Sequence, residues 1–161
     1  MPPEEAPAGG ATGLQAHFRA LESLYRSAPI NRGFQSDIEI TDAGSARIRF
    51  EIEERHFHAA AAAHGTLYFK MMDDAAFYAC NSTVSDRFLL TTAFNLVFAR
   101  PLKKGPVVAE GRWISGRRRV LIGEARLIDA SGEEAARGTG TFMRSHIPLS
   151  GLPGYQIPAA R

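Results

Sequence analysis

The stretch from Leu67 to Cys80 restricts the fold more than any other part of the chain. Apolar residues occupy nearly every position in it rather than one helical face. A helix formed here has no polar side to present to water, so other parts of the protein must surround it. Lys70, Asp73 and Asp74 interrupt this apolar stretch. Burying their charges costs free energy, so each requires a polar partner.

The segments around this helix predict an antiparallel sheet. Alternating apolar residues at 38–40 and 46–52 flank the turn Asp42-Ala43-Gly44, a pattern typical of a β-hairpin. Apolar residues at steps of three and four from Leu14 to Ala28 predict an earlier helix, which Pro29 ends. Four β-rich segments follow the apolar helix, at residues 88–100, 107–115, 120–129 and 135–146.

The order helix, two strands, buried helix, four strands indicates an α+β fold. One antiparallel sheet can curl around the apolar helix and bury it, which is the hotdog arrangement. A generic α+β sandwich is the alternative from topology alone. We expect one hotdog domain over residues 13–147, a disordered N-terminal tail over residues 1–12 and a C-terminal tail over residues 148–161.

Composition excludes several classes of protein. At 161 residues the chain fits one domain, and a net charge of +2 gives no overall field that would favour nucleic acid. One cysteine cannot form an intrachain disulfide and fits a reducing compartment. Since we find neither a secretory signal nor about 18 consecutive apolar residues, we expect a cytoplasmic protein with no membrane partner.

The start of the apolar helix carries the most informative motif. His64, Gly65 and Thr66 open it, and Asp73 follows nine residues after the histidine. This segment resembles the HGGxxxxxxDxxA signature of hotdog thioesterases of the phenylacetate-degradation type. The resemblance extends from about Phe34 to Arg144. It includes a strand that ends in Arg-Pro at residues 100–101 and the segment at residues 136–141.

The resemblance implies an acyl-CoA thioesterase without a cofactor. Asp73 is then the carboxylate that attacks the thioester carbon or activates water. The N–H of Gly65, or that of Thr66, lies at a helix N-terminus and can stabilise the negative oxygen that develops. In relatives the acid comes from the partner subunit. The resemblance therefore implies a homodimer with shared sites, and relatives often pair two dimers.

Adjacent helical residues differ in direction by about 100°, so we expect that Asp73 and Asp74 cannot both face one cleft. The family spacing selects Asp73, and Asp74 is interpreted as a partner in a salt bridge or hydrogen bond.

Other residues correspond to the family pattern less closely. His58 stands six residues before the motif histidine, where relatives often have an Asn or Gln that orients the acid or water. Thr66 replaces the second glycine, and its hydroxyl is a candidate contact for the substrate. Thr91, ten residues before Pro101, matches a Ser or Thr that can hold the attacking water; the alternative is simple β-propensity. His64 is interpreted as a brace for the loop rather than as a base.

Three consecutive arginines, Arg117, Arg118 and Arg119, follow Gly116 at a predicted hairpin tip. Guanidinium groups suit phosphate, so these residues are candidates for binding the nucleotide end of coenzyme A. A solvated turn is the alternative interpretation. Weaker candidates for the same role are Arg100, Lys103 and Lys104.

Competing interpretations concern metal, covalent and other hotdog chemistry. His56, His58 and His64 could suggest a metal site, but no Cys pair or HExxH motif accompanies them, so we predict none. Cys80 is interpreted as a packed thiol, and no GxSxG motif supports a serine hydrolase. The main rival is a non-catalytic hotdog module that binds acyl-CoA or lipid; a hydratase acting on enoyl-CoA is a further alternative.

Overall fold

The computed structural model describes residues 11–157 and residue 159. The predicted N-terminal tail lies outside the described residues except for Ala11 and Thr12, which begin the first helix. The helices are α1 (Ala11–Ser27) and α2 (Gly65–Asn81). The strands are β1 (Ser36–Asp42), β2 (Ser45–Ile52), β3 (Arg87–Phe98), β4 (Gly105–Ser115), β5 (Val120–Ile128) and β6 (Glu134–Pro148).

All six strands form one antiparallel sheet in the order β1-β2-β4-β5-β6-β3, and the sheet covers α2. The helix packs closely enough that glycine is required beneath it. A Cβ atom at Gly111 of β4 would overlap the Ala75 carbonyl, and one at Gly123 of β5 would lie 2.8 Å from the Cys80 sulfur. The predicted hotdog arrangement is therefore confirmed, because the apolar helix is buried against the concave face of the sheet.

The two edges of the sheet differ. Side chains of α1 bond the open backbone groups of β1: Glu22 accepts from the Ile40 N–H at 2.8 Å, and Arg19 donates to the Ile40 carbonyl at 3.1 Å. Arg26 donates to the Ile38 carbonyl at 3.3 Å. Strand β3 pairs with β6 on one side only, so its other side is an open edge within the described chain. Such an edge is available for pairing with another strand.

Strand β3 contains a β-bulge. Its pairing with β6 runs from Thr91 opposite Phe142 to Ala93 opposite Thr141, which leaves Thr92 as the additional residue. A bulge reverses which alternate residues face each side. Before it Leu89 and Thr91 face α2, and after it Phe94 contacts Phe69 of the helix, with ring centroids 5.7 Å apart.

The C-terminal segment, predicted to be a tail, continues from β6 into the 3-10 turn Leu149–Gly151. Leu149 is fully buried, and the Tyr155 hydroxyl lies 2.7 Å from the His17 ring. No helix in the described residues is both long and apolar enough to cross a membrane.

Candidate active site

Asp73 lies in the middle of α2 and is partly buried. Its Oδ1 atom accepts a hydrogen bond of 2.8 Å from the Thr91 hydroxyl, and it forms no ion pair with any described residue. Burial, with a smaller contribution from the Asp74 charge, raises the pKa of Asp73 to about 6, against the opposing effects of the Thr91 hydrogen bond and the Lys70 charge. A carboxyl with this pKa is ionised at neutral pH, and Asp73 has no counter-ion among the described residues. Both properties suit a general base or a nucleophile.

Asp74 has a different environment. Its Oδ2 atom accepts from the Lys70 ammonium at 2.6 Å, and the same ammonium donates to the Asn31 side chain at 2.6 Å. Burial raises the pKa of Asp74, and Lys70 opposes that change. Asp74 is therefore committed to an internal ion pair, whereas Asp73 has only a hydroxyl partner.

Both carboxyl groups nevertheless line one cavity of about 340 Å³, together with Ile30, Phe34, Thr66, Leu67, Phe69 and Lys70. The expectation that adjacent helical acids cannot face one cleft is therefore wrong for this helix. Bonding partners, rather than direction alone, distinguish the two acids.

The bulge in β3 brings Thr91 to Asp73. Thr91 and Phe94 lie an odd number of residues apart, so a regular strand would place them on opposite faces. Because Thr92 is additional, both face the helix. Bulges commonly redirect a side chain next to a functional site.

His64 caps the N-terminus of α2. Its Nδ1 atom accepts from the Thr66 N–H at 3.1 Å and lies 3.0 Å from the Thr66 hydroxyl. The Thr66 N–H is thereby occupied, while the Gly65 N–H has no acceptor among the described residues. A Cβ atom at Gly65 would lie 3.2 Å from the Phe98 ring, so that ring packs directly on the helix start. Of the two predicted oxyanion donors, Gly65 is the one left free.

His58 lies in the loop before α2. Its Nδ1 atom accepts from the Ala60 N–H at 3.0 Å, which orients the exposed ring. His58 and Gly65 line a second cavity of about 360 Å³ with Tyr68, Phe98 and Arg100. Asp73 does not line this cavity. In one copy of the chain, the predicted oxyanion donor and the predicted acid therefore open into separate spaces.

The three arginines lie at the tip between β4 and β5, and all are exposed. The Arg117 guanidinium lies 5.2 Å from the Trp113 ring centroid, a cation–π contact. It also lines a cavity with Ser82 and Thr83, next to the C-terminal end of α2. Gly65 is at the other end of this 17-residue helix, about 25 Å away at 1.5 Å per residue.

Of the weaker basic candidates, two already have partners. Arg100 pairs with Glu133 at 3.2 Å, and Lys103 donates to the Ala61 carbonyl at 2.8 Å. Within one copy of the chain, neither these residues nor the three arginines lie beside Asp73.

The remaining candidates for chemistry do not converge. No cluster of three His, Cys, Asp or Glu side chains that could hold a metal occurs in the described part of the chain. The His56 ring accepts from the Glu53 N–H at 3.0 Å through Nδ1 and packs against the Phe34 and Phe50 rings. Cys80 is fully buried, and burial raises the pKa of its thiol to about 12, so it is a packed thiol.

The turn after α1 contributes residues to the site that the sequence pattern did not indicate. Ile30 and Phe34 line the Asp73 cavity, and Asn31 contacts Lys70. The four-residue spacing of Lys70 and Asp74 was a usable signal for their ion pair. No local signal connects Asn31 to Lys70, which is 39 residues away.

Comparisons with known proteins agree with this architecture. The family model for the Thioesterase superfamily matches residues 61–136, from the loop before α2 into β6. A protein of Saccharolobus solfataricus, provisionally named an esterase, is 25% identical over 66% of this chain and 71% of its own length. A second, from Sulfurisphaera tokodaii and similarly named, is 28% identical over 74% of this chain and 89% of its own length.

Solved structures share the fold. The PaaI protein of the E. coli phenylacetic acid degradation operon superimposes with a TM-score of 0.77 at 18% identity, covering 83% of this chain and 96% of its own. A mutant of the Thermus thermophilus PaaI protein superimposes with a TM-score of 0.66 at 22% identity, covering 73% of this chain and 100% of its own. The chain is therefore similar to the Thioesterase superfamily over residues 61–136, and it has the hotdog fold. This similarity supports thioester hydrolysis as its broad activity.

Proposed function

We propose that this protein is a cytoplasmic acyl-CoA thioesterase that uses Asp73 as its catalytic carboxylate. The observation that carries the proposal is the state of that residue: partly buried, bonded only to Thr91, and lining a largely apolar cavity. As a general base, Asp73 takes a proton from water while the water oxygen attacks the thioester carbon. As a nucleophile, it forms an anhydride that water then cleaves. In both routes the carbon–sulfur bond breaks and the CoA thiol leaves with a proton.

The Gly65 N–H is the proposed donor to the oxyanion. It lies at a helix N-terminus and has no protein acceptor among the described residues, so it can bond the carbonyl oxygen as charge develops. Thr91 positions Asp73, His64 braces the helix start, and Thr66 lines the acyl cavity. His58 takes the place of the family amide beside Gly65, where its Nε2 atom is available to a substrate or water.

A complete site requires a second copy of the chain, because Gly65 and Asp73 open into separate cavities. The open edge of β3 supports antiparallel pairing with β3 of the partner, since α1 side chains already occupy the β1 edge. The Gly65 cavity lies at the Phe98 end of β3, and Asp73 lies at Thr91. Asp73 of one copy meets the Gly65 cavity of the other if Thr91 lies opposite the partner's Phe98.

That condition fixes the register of the proposed pair. Because Thr92 is an additional residue, Asn95 lies midway between Thr91 and Phe98 in the pairing of the two strands. The two-fold axis therefore passes through Asn95. Paired residues of antiparallel strands point to the same face, and this register pairs inward residues with inward ones. A dimer of dimers through another surface is compatible with it.

The same register supports a role for the three arginines. Leu89 pairs with Arg144, and the backbone N–H of Arg144 donates to the Arg119 carbonyl at 2.9 Å. The β4–β5 tip therefore lies at the end of the sheet to which the partner's Gly65 is brought. Arg117, Arg118 and Arg119 would thus flank the mouth of the partner's oxyanion site, where the CoA phosphates emerge.

The alternative is a hotdog module that binds acyl-CoA or lipid without catalysis. The departures from the family pattern at His58 and Thr66 favour it. Binding of acyl-CoA without release of thiol would identify such a module.

The test is release of free thiol from short, medium, long and aryl acyl-CoA esters, followed with a chromogenic thiol reagent. We expect turnover by the natural protein and a loss of at least about 100-fold in Asp73→Asn, which removes the base or nucleophile. Asp74→Asn is the matched control, because it makes the same chemical change one residue away. It should retain much of the turnover.

Equal losses in both variants, with melting temperatures matched to the natural protein, would contradict the assignment to Asp73. Absence of thiol release from every ester by the natural protein would contradict the enzymatic proposal itself.

A further inference from the structure

The turn between α1 and β1 forms one side of the Asp73 cavity. It comprises the 3-10 turn Pro29–Gly33 and the following Phe34. Ile30 and Phe34 both line the cavity, opposite Leu67 and Phe69 of α2. The cavity therefore has apolar side chains on both walls and the Asp73 carboxylate between them.

Residues Pro29–Gly33 of this turn include no buried side chain, and Phe34 packs its ring against the Phe50 ring of the core. Asn31 holds the turn to the helices through two side-chain hydrogen bonds. Its amide donates to the Tyr25 carbonyl at the end of α1 at 2.7 Å, and its oxygen accepts from the Lys70 ammonium of α2 at 2.6 Å. One residue thus connects the turn to both helices.

Lys70 is held at this point by several groups. It forms the ion pair with Asp74, and its ammonium lies 5.4 Å from the ring centroids of both Tyr25 and Phe34. The ammonium thereby contacts the same wall through Phe34 and through Asn31. Since its partners are buried or partly buried, this contact is shielded from bulk solvent.

We propose that residues 29–34 are the wall that determines which acyl groups this protein accepts, with Ile30 and Phe34 as the selecting side chains and Asn31–Lys70 as the clasp. The inference rests on the proposed function. The substrate class is a thioester with a compact apolar acyl group, either an aryl group or a short alkyl chain. A cavity of about 340 Å³ is near the lower end of ligand pockets, which span about 300–1,000 Å³. Apolar walls disfavour an acyl group with a charged end.

Ile30 is the residue to change, because it is 63% exposed and its replacement should affect stability little. The measurement is kcat/KM for straight-chain acyl-CoA esters from acetyl to dodecanoyl and for one aryl ester. Ile30→Ala should shift the preferred chain length upwards. Ile30→Trp should shift the preferred chain length downwards and lower kcat/KM for the aryl ester relative to that for acetyl-CoA. One methylene in a hydrophobic pocket changes kcat/KM by about 10- to 200-fold, so we expect changes in preference of about tenfold or more.

Asn31→Ala tests the clasp, and Arg32→Ala on the same turn is its control. The Arg32 side chain forms no hydrogen bond with described residues and does not line the cavity. Loss of the clasp should broaden the preference across chain lengths, while the control should keep the natural profile.

If kcat/KM depends on acyl chain length in the same way in the natural protein and in the Ile30 and Asn31 variants, the wall proposal is overturned and the thioesterase proposal still stands. If the natural protein hydrolyses no ester, the proposed function fails first and the wall has no substrate to select.

Discussion

Asp73 retains a charge that the surrounding protein disfavours. Its folded pKa of about 6 lies above the value near 3.9 expected in the unfolded chain. The protonated form therefore contributes stability that is fully present below pH 3.9 or so and is lost as the pH rises through about 6. At neutral pH the fold carries a destabilising carboxylate, which is the form that catalysis requires.

The activity should follow this titration. We predict that kcat/KM falls as the pH is lowered through about 6, because protonated Asp73 can neither attack nor accept a proton. Thr91→Val removes the hydrogen bond that lowers this pKa, so the acid limb should move to higher pH. A pH–rate profile of each variant measures the change.

Thr91→Ser keeps the hydroxyl and is the matched control, with an acid limb close to that of the natural protein. If the acid limb of the pH–rate profile lies at the same pH in Thr91→Val as in the natural protein, whatever the rate, Thr91 does not bond the catalytic carboxylate.

How far the sequence predicts individual residues depends on the distance between partners along the chain. The pairing of Lys70 with Asp74 follows from helical geometry, and the cap formed by His64 follows from its position before Gly65. The contact between Asn31 and Lys70 depends on how a turn lies across a helix, which local pattern does not encode.

At the scale of elements, the predicted helices and strands agree with the structure within a few residues. Their strong signals were the two-residue alternation of β2 and the wholly apolar α2. The bulge at Thr92 was not predicted, because Leu90, Thr91 and Thr92 are all ordinary strand residues. Pairing with β6 locates the additional residue, and that pairing is a property of the sheet.

The approach of α2 to the sheet gives a prediction about glycine. Gly111→Ala places a methyl group against the Ala75 carbonyl, and backbone cannot move aside as a flexible side chain can. We expect a loss of at least about 2 kcal/mol in the free energy of unfolding, measured by urea denaturation. Gly33→Ala is the control, since a Cβ atom there has no neighbour within 4 Å. A loss as large in Gly33→Ala would mean that the close packing is not responsible.

At the scale of the whole molecule, the unequal edges of the sheet determine how two copies would assemble. Arg19 and Glu22 of α1 bond the edge of β1, whereas β3 has no second neighbouring strand among the described residues. Pairing through β3 removes this open edge and unites the two halves of the proposed site.

A cross-link tests this assembly and its register together. Asn95→Cys should form a covalent dimer of about 35 kDa, twice the 17.5 kDa chain, on a non-reducing gel. Residues on the two-fold axis fall within the Cα separation of about 4.4–6.8 Å that a disulfide needs. The buried Cys80 should contribute no background.

Thr41→Cys on the opposite edge strand is the control and should stay monomeric under the same oxidation. Equal cross-linking at both positions would indicate random collision, and no cross-link at Asn95 would contradict the register.

The additional residue at Thr92 also affects how this chain is compared with distant relatives. Against a relative that lacks this additional residue, an alignment drawn through β3 without a gap would match side chains that face the helix to side chains that face away from it. Aligning this strand on its inward-facing side chains would restore Thr91 to its true counterpart.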